Sequence, residues 1–261
     1  MIPFSLRLIR EHNRLYKAWM RLLWRLHGRQ SPIVLMVHGF KPSKEDCKSA
    51  FEMTCGSFRK MLEYLVNDGW HAMTWAELLE MIDKRDWKNK CFYVTFDDVY
   101  DTVYTDAFPV LKQLDVPFTL FVSPDLVDKP GYITKEHLRA LSWEPLCRIG
   151  CHGWQHKVFR NLSQDEMTEQ CNKGNDWLQD ELGVEVDSFA FPYGRIVEVS
   201  NNNRQQIQKF SYKMAFSALE GTLKASWFTG RWFLPRINMS EKFVERFTSG
   251  DFPRFKDCEG R

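Results

Sequence analysis

From Ser31-Pro32 onward, short runs of apolar, β-branched and aromatic residues recur along the chain. They fall at Ile33–Val37, Phe92–Phe96, Phe118–Val122, Cys147–Cys151, Ser188–Phe191, Tyr212–Phe216 and Trp232–Leu234. Runs of this length bounded by turn residues predict strands covered on both faces. Between most of them the apolar spacing becomes helical. Phe58, Met61, Leu62 and Leu65 share one helical face, and Thr74-Trp75-Ala76-Glu77 carries a capping box. Ser163-Gln164-Asp165-Glu166 opens another helix, which runs to about Leu182 and stops at Gly183. The polar Asn201-Asn202-Asn203 run predicts a turn or a helix start. Seven strand candidates separated by helices predict a parallel α/β architecture, either an open sheet or a barrel. It occupies residues 31–248, with residues 249–261 as a loose tail.

Residues 1–30 form a separate unit. Arg7, Arg10, Arg14, Lys17, Arg21, Arg25 and Arg29 are opposed there by Glu11 alone. Their steps of three or four predict an amphipathic helix from Ser5 to His27. The basic residues make one stripe, with Leu15, Trp19, Leu22, Leu23 and Leu26 elsewhere on the circumference. Trp19 and Trp24 beside arginines suit a helix at a membrane surface, where it could meet lipid-linked glycans. A helix docked on its own barrel or on a partner chain fits equally.

The net charge is only +2, and without residues 1–30 the balance turns slightly acidic, so nucleic acid is not an expected partner. The 20 Phe, 10 Trp and 8 Tyr fill a core, and some of these rings are of the kind that stack on sugars. Seven cysteines with no Cys-x2-Cys pair predict reduced thiols. No run is apolar for the roughly 18 residues a membrane span needs, and charges interrupt the N-terminal apolar stretches. A cytoplasmic protein is expected, with the basic helix allowing peripheral attachment at the inner face of the membrane.

The chemistry clusters just after the predicted strands. His38, the pair Asp97-Asp98, His152 and Tyr193 each follow one of them. In α/β folds the carboxyl ends of parallel strands share the face where active sites assemble. Two adjacent carboxylates at a strand end can serve one as metal ligand and one as base, or can simply cap the next helix. His152 and His156 lie four apart, which on a helical turn would put both imidazoles on one face toward one cation. Two His and one Asp leave coordination positions open, as a catalytic site requires.

Thr95-Phe96-Asp97-Asp98, then His152-x3-His156, then Phe191-Pro192-Tyr193-Gly194 resemble, in order and spacing, the first three motifs of the polysaccharide deacetylases, carbohydrate esterase family 4. Ala107-Phe108-Pro109-Val110-Leu111 and Val116-Pro117-Phe118-Thr119-Leu120-Phe121-Val122 resemble its connecting segments, so the likeness spans about residues 32–240. The resemblance implies a distorted (β/α)7 barrel and metal-dependent removal of an acetyl group from a saccharide in surface-polysaccharide synthesis. It implies Asp98, His152 and His156 as metal ligands, Asp97 as general base, and the Tyr193 N–H in the oxyanion hole. Zn²⁺ suits such a ligand set, and Co²⁺, Ni²⁺ and Fe²⁺ accept similar ones.

The sequence departs from the family pattern at several points. Val99 stands where Gly usually follows the Asp pair, and Ala190 replaces the usual Arg. Leu234-Pro235-Arg236-Ile237 stands where a His is usual, and no Asp-containing fourth motif can be placed. A branch resembling the exopolysaccharide deacetylases carries its general-acid His on an N-terminal strand, which Met36-Val37-His38 matches. His38 is therefore the expected acid, and Arg236 is expected to replace the missing arginine and orient Asp97. Two other readings stay open on the same scaffold. One is a deformylase or deacetylase of a lipid- or nucleotide-linked sugar, and the other a saccharide-binding protein without catalysis.

Overall fold

A computed structural model describes residues 30–250. The predicted N-terminal helix, and the tail beyond Gly250, lie outside the described residues. The described residues contain ten strands: β1 (Ile33–Val37), β2 (Gly39–Lys41), β3 (Glu52–Thr54), β4 (His71–Ala72), β5 (Cys91–Asp97), β6 (Phe118–Val122), β7 (Cys147–Cys151), β8 (Ser188–Ala190), β9 (Met214–Glu220) and β10 (Leu234–Asn238). Seven of them close into a parallel barrel in the order β1-β10-β9-β8-β7-β6-β5, with β5 returning to β1. The closing seam is regular, running from Ile33↔Phe92 to Val37↔Phe96. The distortion lies elsewhere. β7 and β8 share a single paired position, Cys151↔Phe189, and the β9–β10 register shifts between Leu234 and Arg236.

Strand β5 shows why the predicted runs were continuous rather than alternating. All seven of its residues are buried, because one face meets the helices and the other the barrel interior. Phe92, Val94 and Phe96 pack outward with Phe58, Met61, Leu62 and Leu65 of helix Cys55–Asn67. Tyr93 packs inward with Val34, Phe121, Ala190, Met214, Phe216 and Leu234. The helices begin where caps were predicted. Capping boxes at Thr74 and Ser163 open helices Trp75–Lys84 and Gln164–Leu182, and Gly183 ends the latter at φ 67°. Ser200 caps a short helix over Asn201–Gln206, so the asparagine run is a helix start.

Two predicted strands are displaced. The sixth lies at Met214–Glu220 rather than Tyr212–Phe216, and the last at Leu234–Asn238 rather than Trp232–Leu234. Both extend into polar sequence because the upper barrel interior is polar, with Thr95, Ser217 and Arg236 all buried there. Pro235 is tolerated in β10 because it falls at the register shift. The six described cysteines are free thiols, as expected, with Cys147 buried. Among the described residues no helix is long and apolar enough to cross a membrane.

Candidate active site

The carboxyl ends of the strands open into a cleft of about 570 Å³, lined among others by His38, Asp97, Asp98, His152, His156 and Tyr193. Each arrives there for a local reason. Asp97 ends β5 on its inward-facing side, in phase with Tyr93 and Thr95. The next residue of a continuing strand would point away, but Asp98 adopts φ 61°, which breaks the alternation and lets both carboxylates reach the cleft. His152 follows β7 directly. His156 is not on a helix: residues 152–158 form an irregular loop, turned by Gly153 at φ 73° and His156 at φ 53°. The helical-turn expectation for the two histidines is thus replaced by a loop that converges them by other means.

That convergence is tight. Asp98 Oδ1 lies 3.0 Å from His156 Nε2 and 3.5 Å from His152 Nε2, and the three ligand atoms all lie within 4.8 Å of one another. The buried Asp98 Oδ1 nevertheless makes no well-aligned hydrogen bond. His152 Nδ1 lies 2.7 Å from the Ala190 carbonyl, so this nitrogen carries the proton and Nε2 turns a lone pair inward. Burial pushes the His152 imidazole down to about 4, which keeps it neutral. Burial pushes the Asp98 carboxyl up, but the neighbouring imidazoles, His156 closest, outweigh it and hold the group ionised. An ionised carboxylate oxygen and inward-facing imidazoles without good mutual hydrogen bonds are a donor set that fits a divalent cation.

Beside this set, Asp97 is held by Arg236. The guanidinium spans the carboxylate, with Nη1 donating to Oδ1 at 2.7 Å and Nη2 to Oδ2 at 2.6 Å. Two further donors go to the Ser217 carbonyl, from Nε at 2.8 Å, and to Thr95 Oγ1, from Nη1 at 3.1 Å. Thr95 in turn donates to the Leu35 carbonyl at 2.8 Å. Arg236 is only 1% exposed, with its guanidinium against the Phe121 and Phe216 rings, 5.7 and 5.8 Å from their centroids. Ala190 belongs to the same interior cluster, so the arginine enters from β10 and not from β8. Burial pushes the Asp97 carboxyl up, but the Arg236 charge and the neighbouring imidazoles outweigh it and keep it ionised.

His38 sits at the end of β1 with its ring edge-on to Phe51 at 4.9 Å, and its Nδ1 has no hydrogen-bond partner. Burial lowers its basicity, against the opposing pull of Asp97 and Asp98. Tyr193 occupies the left-handed region at φ 61°, with its ring 4.7 Å from His156. Its N–H makes no hydrogen bond among the described residues. Gly194 must be glycine: at φ 64°, an added Cβ would lie 2.6 Å from the Ala218 nitrogen.

Val99 occupies the position where glycine was expected, and it adopts φ 46° all the same. A β-branched residue there is strained by about 1–3 kcal/mol. Val99 is fully buried in the outer core, which offsets that strain. Val99→Gly should therefore lower stability by about 1 kcal/mol instead of raising it. Urea unfolding would show this, and a clear stabilisation would mean that burial does not offset the strain.

A model of the family described as polysaccharide deacetylase matches residues 84–215, just over half of the chain. The chain belongs to the polysaccharide deacetylase family. Among curated relatives, the poly-β-1,6-N-acetyl-D-glucosamine N-deacetylase of Staphylococcus aureus is 22% identical over 222 residues, covering 80% of this chain and 74% of that one. Among solved structures, the Streptococcus pyogenes deacetylase PplD in complex with acetate superposes with a TM-score of 0.73 at 21% identity, covering 85% of this chain and 99% of its own. IcaB from Ammonifex degensii gives a TM-score of 0.71 at 22% identity, covering 86% and 98%. These likenesses establish the (β/α)7 deacetylase fold.

One wall of the cleft was not foreseen. β2 and β3 pair in parallel across the Gly39–Thr54 segment, and Phe40, Lys41, Phe51 and Glu52 from it line the cleft. Strands of three residues carry no readable periodicity. The available signal was Gly39 directly after His38.

Proposed function

We propose that this deacetylase hydrolyses the N-acetyl group of an N-acetylated hexosamine polymer, as the name of its Staphylococcus aureus relative describes for that protein. The supporting observation is the Asp97–Arg236 clamp set directly beside Asp98, His152 and His156 in one cleft. These last three residues would hold a divalent ion. When bound, such an ion lowers the pKa of water and polarises an acyl carbonyl.

The chain's own groups supply the rest. Asp97 accepts a proton from the attacking water at a carboxylate oxygen. Arg236 occupies one lone pair on each oxygen and leaves another on each for that purpose. The Tyr193 N–H donates to the acyl oxygen as negative charge develops there. His38 delivers a proton to the departing nitrogen, so that an amide and water become a free amine and acetate. Zn²⁺ suits the donors, and Co²⁺, Ni²⁺ and Fe²⁺ are compatible.

Acetate release from N-acetylglucosamine oligomers tests the reaction. His38→Ala should lower turnover by about 10²–10⁴-fold with bound metal retained. Unchanged turnover in that variant would remove His38 from the mechanism. Absence of acetate release by the metal-loaded wild type would overturn the substrate assignment.

A further inference from the structure

The buried stripe of helix Gln164–Leu182 runs from Met167 to Leu182 and is interrupted by Gln170, Gly174 and Asn175. A buried polar group costs stability unless it is hydrogen-bonded, and a mid-helix glycine costs stability against alanine. Asn175 is accounted for by the Tyr212 hydroxyl, which donates to its Oδ1 at 2.8 Å. Gly174 and Gln170, one turn apart, meet the segment that carries His152 and His156. A Cβ on Gly174 would lie 2.7 Å from Cys151 Sγ and 3.4 Å from the Gly153 carbonyl carbon, so the helix presses on the residues flanking His152. Gln170, only 3% exposed, accepts the Gln155 N–H through Oε1 at 2.8 Å, and its Nε2 donates to Gln155 Oε1 at 3.4 Å. Gln155 directly precedes His156, and neither glutamine lines the cleft.

The first half of the loop is fastened to the end of β6. His152 N donates to the Val122 carbonyl at 2.9 Å, Ser123 Oγ to the His152 carbonyl at 2.8 Å, and Asp125 N to the Trp154 carbonyl at 3.1 Å. The second half turns through His156 at φ 53°, a left-handed conformation that costs free energy for a residue with a Cβ and persists where its surroundings hold it. Asp98 meets His156 through the ring, at 3.0 Å, and so does not fix that backbone. The Gln155–Gln170 bond is the backbone restraint adjoining the turn. A methionine or leucine would fill the stripe as well, so packing alone does not call for glutamine there.

We propose that Gln170 is a positioning residue for the metal centre: by accepting the Gln155 N–H, it holds the turn that aims the His156 ring at the ion site. A ligand already held in place loses little freedom when the ion binds, so affinity falls when the hold is removed. The inference rests on the reading of Asp98, His152 and His156 as metal ligands. It adds that ion affinity is set partly by a helix side chain outside the cleft.

The test is the Zn²⁺ dissociation constant of the full chain, read by competition with a chromophoric chelator, beside urea unfolding of the metal-free protein. Gln170→Met keeps the length and the packing but offers the N–H no oxygen, and should weaken Zn²⁺ binding about 10–100-fold. Gln170→Glu keeps the acceptor and should bind close to wild type. Leu178→Ala leaves a cavity about two turns along the same stripe, and should lower the urea midpoint without changing the Zn²⁺ constant. Gln170→Ala carries the same expectation as methionine if the methionine variant does not fold. Wild-type affinity in the Met or Ala variant would overturn the inference, and so would equal weakening in Leu178→Ala, which would reduce the effect to general stability. A wild type that binds no Zn²⁺ would instead overturn the metal-ligand reading, and this inference with it.

Discussion

Arg236→Met should abolish most turnover and destabilise the protein by about 3–5 kcal/mol, the cost of leaving a buried charge without its partner. The arginine is buried, makes two hydrogen bonds to Asp97, and has no solvent to replace them. Methionine keeps a side chain of similar length against Phe121 and Phe216, so the loss isolates the charge and not a cavity. Arg236→Lys should recover part of the stability but less of the turnover, since an ammonium cannot span both carboxylate oxygens. The pH dependence has a definite sign. The folded Asp97 carboxyl titrates below its unfolded value of about 4. Its contribution is therefore complete above that value and is lost as pH falls through the lower folded one. Arg236→Met should flatten that acid limb in urea unfolding. Full turnover in the methionine variant would mean that Asp97 needs no orienting partner.

Asp97→Asn should cost about 10²–10⁴-fold in turnover while bound metal remains. An amide cannot take up the water's proton, and Asp97 is not one of the three residues converging on the ion site. That outcome would separate by function the two aspartates that the sequence places together. Loss of metal in Asp97→Asn would merge their roles and require a different ligand set.

The barrel and the groups lining its cleft were largely legible in the residues. Five of the seven predicted barrel strands match closely, because strands buried on both faces read as unbroken apolar runs. β9 and β10 were displaced because the interior they face holds Ser217 and Arg236, so polarity interrupts the run just where the site is built. The positions of Asp97, Asp98, His152 and Tyr193 follow from strand ends alone. The meeting of His152 with His156 depends on loop turns at Gly153 and His156, which the spacing mimics as a helix but does not determine. Arg236 was legible only as a replacement for a missing arginine. Its entry into the barrel from β10, while β8 carries Ala190, is a cross-strand exchange that no local pattern carries.

The central claim is that Asp98, His152 and His156 hold a divalent ion on which activity depends. Its most direct test is metal content per chain, on protein purified without chelator, for wild type and Asp98→Ala, with acetate release measured on the same samples. Close to one ion per chain in the wild type, with ion and acetate release lost together in Asp98→Ala, is the expected result. Equal metal in both proteins, or a wild type that binds none after reconstitution with Zn²⁺, Co²⁺ or Ni²⁺, would contradict it.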